Sequence, residues 1–309
     1  MKVGVIGTGN MGENHVQTYV SLHPHCECVG IFDTDERKSR IIAKKYNVRQ
    51  FHSLHDLLQS VDAVSIAVPT EYHYEIGLAC IKHKVHMLME KPITNTTDEA
   101  EDLIRRANEA GVKIQVGHIE LFNPFIQYLQ KEIKNEKIIE IVHERMAPED
   151  KRLKTVDVVK DLMIHDLYIV QHLLNEELKD FQVFGKAAGK VSKHAVVVAK
   201  TQNSGTIHLT ASFKAREKKR IIRILTEEAY IEADILKREM YISRSLMEVT
   251  NKLEVPVRQR ISFDGEIQPL YVELLDFIKC IKNDKVPYVT GEDGLNVLKL
   301  CNKISEALI

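Results

Sequence analysis

The chain has 309 residues, 44% of them hydrophobic, and sets 43 Lys and Arg against 44 Asp and Glu for a formal charge of −1. This composition excludes a disordered chain, a collagen and a small disulfide scaffold, and the length suits two domains of roughly 100–200 residues each. No run approaches the roughly 18 apolar residues of a membrane span, no cleavable leader precedes the first strand pattern, and near-neutral charge gives no general attraction to nucleic acid. The expectation is a cytoplasmic protein with no membrane or nucleic-acid partner. Five scattered cysteines, an odd number, predict reduced thiols. His23, His25, Cys26 and Cys28 have ligand-like spacing but no matching group downstream, so no metal site is expected.

Residues 1–118 alternate short apolar runs with helical segments, the pattern of a parallel sheet covered by helices on both faces. Val3–Ile6, Cys28–Phe32, Ala63–Val68, His86–Met89 and Lys113–Val116 read as buried strands. Ser53 with Asp56, and Thr96 with Glu99, have the spacing of helix starts, and Gly111 stops the helix that begins near Glu99. Residues 50–62 carry no clear pattern. From 119 to 309 strands follow one another through turns, with Ile207, Leu209, Ala211 and Phe213 apolar between polar Thr206, His208, Thr210 and Ser212, as in an antiparallel sheet with one open face. Asn203-Ser204-Gly205 supplies a turn. Further strands are predicted over Ile138–Arg145, Phe181–Gly185, Ala195–Lys200, Arg220–Thr226 and Tyr230–Ala233, with helices over Val156–Leu174, Leu270–Lys282 and Gly294–Leu308. The basic run Lys214–Arg220 reads as a solvated turn. The fold class is an α/β domain with a doubly wound parallel sheet, then an α+β domain with an open, largely antiparallel sheet.

Gly7-Thr8-Gly9-Asn10-Met11-Gly12 follows the first strand and opens a helix, and Asp33 ends the second strand. That context marks a dinucleotide site: Gly7 makes the turn, Gly9 lets the backbone approach a pyrophosphate at the helix N-terminus, and Gly12 permits close packing. Asp33 would accept from ribose hydroxyls and repel a 2′-phosphate, which favours NAD over NADP, although Arg37 and Lys38 lie close. Pro69-Thr70 and His73 lie where ligands sit outside the carboxyl ends of such strands. Thr70 is a candidate cofactor contact or helix cap, and His73 a candidate contact or surface residue.

Glu90-Lys91-Pro92 ends the strand His86–Met89 at the same edge, placing an amine where it could exchange a proton with a substrate hydroxyl beside a nicotinamide ring. Asp161 and His165, four apart on a helix, share one face, so Asp161 could orient His165 as a second proton-transfer group. His118 and Glu120 follow the strand Lys113–Val116. Asn123 is a neutral donor and acceptor suited to a sugar hydroxyl or acetamide, and a polar hinge explains all three equally.

Together the glycine loop, Glu90-Lys91-Pro92 and the Asp161–His165 spacing resemble the Gfo/Idh/MocA (glucose-fructose oxidoreductase/inositol dehydrogenase) family over nearly the whole chain. The run from Pro269 through Glu273 and Phe277, and Gly291-Glu292-Asp293-Gly294, is similar to that family's closing helices. The resemblance implies a Rossmann domain binding NAD(P) and a C-terminal domain that walls the substrate and forms a homodimer or homotetramer. It also implies Lys91 as the catalytic lysine, with Asp161 and His165 as its acid–imidazole pair. Gly117-His118-Ile119-Glu120-Leu121-Phe122-Asn123-Pro124 is similar to the branch that oxidises the 3-hydroxyl of UDP-N-acetylglucosamine or its uronic acid. Leu121 stands where that branch has arginine, and Met146-Ala147-Pro148 stands where a glycine-proline usually follows the arginine matched by Arg145. The function this implies is an NAD-dependent dehydrogenase of a nucleotide sugar. A dehydrogenase of free polyols, aldoses or another cyclic substrate, and a non-catalytic NAD sensor, are the alternatives.

Overall fold

A computed structural model describes residues 1–149, 153, 155–188, 191–202, 205–244, 257–262 and 268–308. Asn203 and Ser204 of the expected turn lie outside the described residues. The chain divides into two compact units, one of residues 1–122 with 267–298, the other of residues 123–266 with 299–309.

In the first unit, β1 (Lys2–Ile6), α1 (Asn10–Ser21), β2 (Glu27–Phe32), α2 (Glu36–Tyr46), β3 (Arg49–Phe51), α3 (Leu54–Leu58), β4 (Ala63–Ile66), α4 (His73–Lys82), β5 (His86–Glu90), α5 (Thr97–Ala110) and β6 (Ile114–Gly117) follow in order. The strands pair in parallel in the order β3-β2-β1-β4-β5-β6. The order reverses between β1 and β4, which opens a crevice at their carboxyl ends. The five expected strands are present, and the unassigned stretch holds β3 and α3, the latter capped by Ser53, whose hydroxyl accepts from the Asp56 N–H. Thr96 and Glu99 form a reciprocal capping box, and Gly111 closes α5 at φ +68°.

The later helix α8 (Pro269–Lys282) belongs to this same unit. Leu270, Leu274, Phe277 and Ile278 recur at helical spacing, and they share one core with Val3, Val5, Val16, Tyr19, Leu22 and Ile31. Leu274 and Phe277 are fully buried, and such side chains contribute about 1.5–3 kcal/mol each.

The second unit contains α6 (Pro124–Glu132), β7 (Ile138–Pro148), a π-helical turn (Val159–Met163) running into α7 (Ile164–Leu174), β8 (Phe181–Ala188), β9 (Val191–Lys200), β10 (Thr206–Ser212), β11 (Lys214–Thr226), β12 (Ala229–Asp234), β13 (Glu239–Arg244) and β14 (Val257–Ser262). The last helix of the chain is α9 (Gly291–Ala307). The eight strands form a mixed sheet, β14-β13-β12-β11-β7-β10-β9-β8, antiparallel except between β7 and β10. Ile141, His143 and Arg145 of β7 are buried, whereas Val142, Glu144 and Met146 on the opposite face are only half-buried.

One expectation is corrected here: Lys214–Arg220 is the first half of β11, not a turn. Its cations stay in a strand because acids stand opposite, with Lys219 and Arg223 both on Glu144 and Lys214 on Glu149. Among the described residues no helix is long and apolar enough to cross a membrane. The five cysteines form no disulfide.

Candidate active site

The glycine loop joins β1 to α1 under close steric control. Gly7 has φ +90°, and a Cβ there would lie 2.5 Å from the Ala67 carbonyl oxygen. At Gly12 a Cβ would lie 2.0 Å from the Gly7 carbonyl oxygen, so only glycine lets the helix start this close to the turn. Gly9 differs: nothing lies within 4 Å of where its Cβ would be. The fold makes no use of its missing side chain, and the open space sits at the first turn of α1, where backbone N–H groups and the helix dipole favour an anion. The loop therefore fits a dinucleotide's pyrophosphate.

Asp33, at the end of β2, accepts from the Thr8 N–H and the Thr8 hydroxyl, each at 2.6 Å, and from the Asp35 N–H at 2.9 Å. Burial pushes its carboxyl up, but these hydrogen bonds and the charge of Lys38 outweigh it and hold the group below the ordinary aspartate value. Asp33 is thus a half-buried anion locked to the glycine loop. Asp35 caps α2, accepting from the N–H groups of Arg37 and Lys38. Asn10 and Met11 are exposed on the first turn of α1.

Pro69 is exposed and Thr70 half-buried at the carboxyl end of β4. Thr70 is not a cap: it opens a short 3-10 turn whose cap position is Pro69. His73 is neither a surface residue nor open to a ligand. It is 1% exposed, with Nδ1 3.0 Å from the Pro92 carbonyl oxygen and Nε2 3.0 Å from that of Val68. Its ring sits between the end of β4 and the corner after Lys91; a neutral imidazole donates to one of these carbonyls at a time, and burial lowers the pKa although both carbonyls favour the charged ring.

Glu90, Lys91 and Pro92 are half-buried at the end of β5, and the Lys91–Pro92 peptide is cis. Glu90 turns beneath the sheet, where its carboxylate packs over Gly117 and lies 3.0 Å from His15 Nε2. His118, just past β6, is 3% exposed, and burial followed by the positive charge of Lys91 brings its pKa down to about 3. A neutral imidazole and an amine thus share this edge. Glu120 is buried in the 3-10 turn Ile119–Phe122.

In the second unit, Asp161 lies in the π-helical turn and His165 in the first turn of α7, one turn apart and both half-buried. Asp157 fixes the start of this helix by accepting from the N–H groups of Val159 and Lys160, and also from Ser192 N–H and the Ser305 hydroxyl. Asn123 caps α6, its side-chain oxygen accepting from the Phe125 N–H. Asp166, on the face opposite the Asp161–His165 pair, is fully buried against the Arg145 guanidinium, with His143 Nε2 at 3.4 Å. Arg145 is matched to an arginine of the branch the chain resembles, but nothing in the motifs pairs it with Asp166 and His143. The signal that could have found the cluster is the alternation of Ile141, His143 and Arg145, which puts two basic groups on the buried face of β7.

Residues 1–118 match the Gfo/Idh/MocA description of an oxidoreductase family with an NAD-binding Rossmann fold, and residues 137–307 match that family's C-terminal alpha/beta domain. The UDP-N-acetylglucosamine 3-dehydrogenase of Acidithiobacillus ferrooxidans is 33% identical over 312 residues, spanning 100% of this chain and 97% of that protein. A solved structure of that enzyme superposes with a TM-score of 0.91 at 30% identity, over 100% of this chain and 97% of the other. The myo-inositol 2-dehydrogenase of Thermotoga maritima is 25% identical over 97% of this chain and 94% of its own length. Levoglucosan dehydrogenase in complex with NADH shares the fold, with a TM-score of 0.86 at 16% identity over 100% of this chain and 96% of that one. The chain belongs to the Gfo/Idh/MocA family of oxidoreductases.

Proposed function

We propose that this chain is an NAD-dependent dehydrogenase acting on a secondary alcohol of a sugar, at C3 of a UDP-linked N-acetylated hexose. The observation that carries the substrate is the end-to-end similarity to an enzyme of that name. The open space at Gly9 and the anionic Asp33 carry the cofactor. A 2′-phosphate would meet the Asp33 carboxylate, which supports NAD over NADP.

When bound, the nicotinamide accepts the hydride from the carbinol carbon. The loop Gly7, Thr8, Gly9, Asn10, Met11 and Gly12 would hold the pyrophosphate and Asp33 the ribose, and Pro69 and Thr70 would also contact the cofactor. Lys91 takes the hydroxyl proton as the hydride leaves, His165 assists, and Asp161 orients His165. His118, Glu120 and Asn123 line the sugar. The second unit, residues 123–266 with 299–309, would form the substrate wall, and the open face of its sheet would join subunits in a cytoplasmic homodimer or homotetramer.

The test is reduced-nicotinamide absorbance with NAD or NADP and a panel of UDP-N-acetylglucosamine, its uronic acid, other UDP-sugars, free aldoses and inositol. The proposal expects the highest kcat/KM with NAD and a UDP-N-acetylated hexose. Preference for a free polyol would overturn the substrate, and cofactor binding with no turnover on any of them would leave a sensor.

A further inference from the structure

Beneath α1 and α8 the parallel sheet carries a polar row inside an apolar core. Ser65, Leu88 and Gln115 pair in register across β4, β5 and β6, and two residues further on Glu90 pairs with Gly117. Register partners on parallel strands share a face. From α1, Tyr19 Oη lies 2.8 Å from Ser65 Oγ, and Ser65 Oγ lies 2.9 Å from His15 Nδ1. His15 Nε2 then reaches Glu90 at 3.0 Å. Burial drives the Tyr19 hydroxyl far up, so the phenol remains a donor. One consistent run of protons follows: Tyr19 donates to Ser65, Ser65 to His15 Nδ1, and His15 Nε2–H to Glu90. The run ends in a fully buried phenol, so it cannot export a proton; it can only hold Glu90 in place.

The other side of this row lacks donors. Glu273 of α8 is 0% exposed, and among the described residues neither of its carboxyl oxygens has a hydrogen-bond partner. Gln115 gives its N–H to the Glu273 backbone carbonyl, which leaves its own side-chain oxygen buried and unpartnered. Three buried acceptors thus lie on this side, two of them on Glu273, whose carboxyl feels the Glu90 charge. Acceptors alone do not satisfy one another, and an ionised carboxylate without a donor is the costliest group to bury. The groups facing Glu273 are Glu90 from β5, the Tyr19 phenol from α1 and Asp276 from its own helix, with His15 reached through Glu90. Burial first, then the charges of Glu90 and Asp276, raises the Glu273 carboxyl well above the ordinary value.

We propose that Glu273 is a positioning residue for the Glu90-Lys91-Pro92 corner: a neutral carboxylic acid whose O–H gives this cluster of acceptors a donor. Glu90 then remains the single anion under the end of β5, gripped by His15 in front and by a neutral acid behind. The link to turnover rests on Lys91 being the proton-transfer group; the protonation of Glu273 does not.

The test uses Glu273→Gln, which keeps the shape and is always neutral, together with infrared spectra of the wild type with and without 13C-labelled glutamate. At neutral pH the wild type should show an isotope-sensitive carbonyl stretch of a protonated carboxylic acid, absent from the variant. The unfolded chain releases this proton above about 4.5 and the folded chain keeps it. Wild-type stability should therefore fall relative to Glu273→Gln as pH rises from there, by up to about tenfold in the folding equilibrium per pH unit. With UDP-N-acetylglucosamine and NAD, an alkaline fall in kcat should be present in the wild type and missing in Glu273→Gln, with KM for NAD unchanged. No acid band in the wild type overturns the proposal outright, and this reading stands even if the variant fails to fold. An acid band with identical kcat profiles overturns the positioning role, as does unchanged kcat and pH profile in Glu273→Met. Lys91→Met serves as the separate control: full turnover in that variant refutes the Lys91 reading and leaves the Glu273 infrared result intact.

Discussion

The Nε2 atom of His15 lies 3.0 Å from a carboxylate oxygen of Glu90, the residue before Lys91. His15 also bonds Ser65, so its removal takes a hydrogen-bond partner from a polar group on each side, although Ser65 keeps Tyr19. We expect His15→Ala to destabilise the protein by about 1–3 kcal/mol or more, against about 1 kcal/mol for Tyr19→Phe, which removes one hydroxyl at the far end of the run. Denaturant unfolding of both variants measures the difference.

Gly9 and Gly12 separate cofactor binding from folding. A Cβ at Gly12 would collide with the Gly7 carbonyl oxygen, whereas one at Gly9 meets nothing. Gly12→Ala should lose about 1–3 kcal/mol of stability through overpacking. Gly9→Ala should unfold within about 0.5 kcal/mol of the wild type yet bind NAD at least about tenfold more weakly, because the added methyl fills the space a pyrophosphate would take. Calorimetric titration beside thermal unfolding reads both.

His118 predicts an acid limb of stability. Its folded pKa, about 3, lies below the ordinary value of 6.5. A depressed pKa means that the unfolded chain takes up a proton first, so the stability due to His118 is complete above 6.5 and is lost as pH falls toward 3. The loss grows by up to about 1.4 kcal/mol per pH unit in that window. His118→Gln should flatten the unfolding free energy between those pH values relative to the wild type.

Much of the fold is legible in the amino-acid sequence alone, for reasons that differ by element. The strands of the first sheet show because a parallel strand buried on both faces is a continuous apolar run, as in Ala63–Ile66. β3 and α3 do not show, since three and five residues are too short to display a period. β13 and β14 escape notice because Glu239, Arg244, Arg258 and Arg260 give polar strands whose pairing partners, not their own pattern, fix them. The stripe of α8 is visible, but nothing local tells that it shares the core of Val3 and Tyr19. At the site, the glycine loop is readable because its chemistry is contiguous. His73 is not, because its role lies in two carbonyls that only the fold brings to its ring.

The Arg145–Asp166 pair is fully enclosed under the helix that carries His165. Breaking a buried ion pair on one side strands the other charge and costs about 3–5 kcal/mol. Arg145→Met should therefore be much less stable than the wild type, while Arg145→Met combined with Asp166→Leu should recover part of the loss. Chemical denaturation of the wild type, Arg145→Met, Asp166→Leu and the double variant forms the cycle.

The central claim is that the Lys91 amine moves the hydroxyl proton. Its most direct measurement is the rate of reduced-nicotinamide formation from UDP-N-acetylglucosamine and NAD by wild type and Lys91→Met, beside NAD affinity by titration. We predict a loss of about 10²–10⁴-fold in kcat with NAD affinity within a few-fold of the wild type. Near-normal turnover in Lys91→Met would contradict the account.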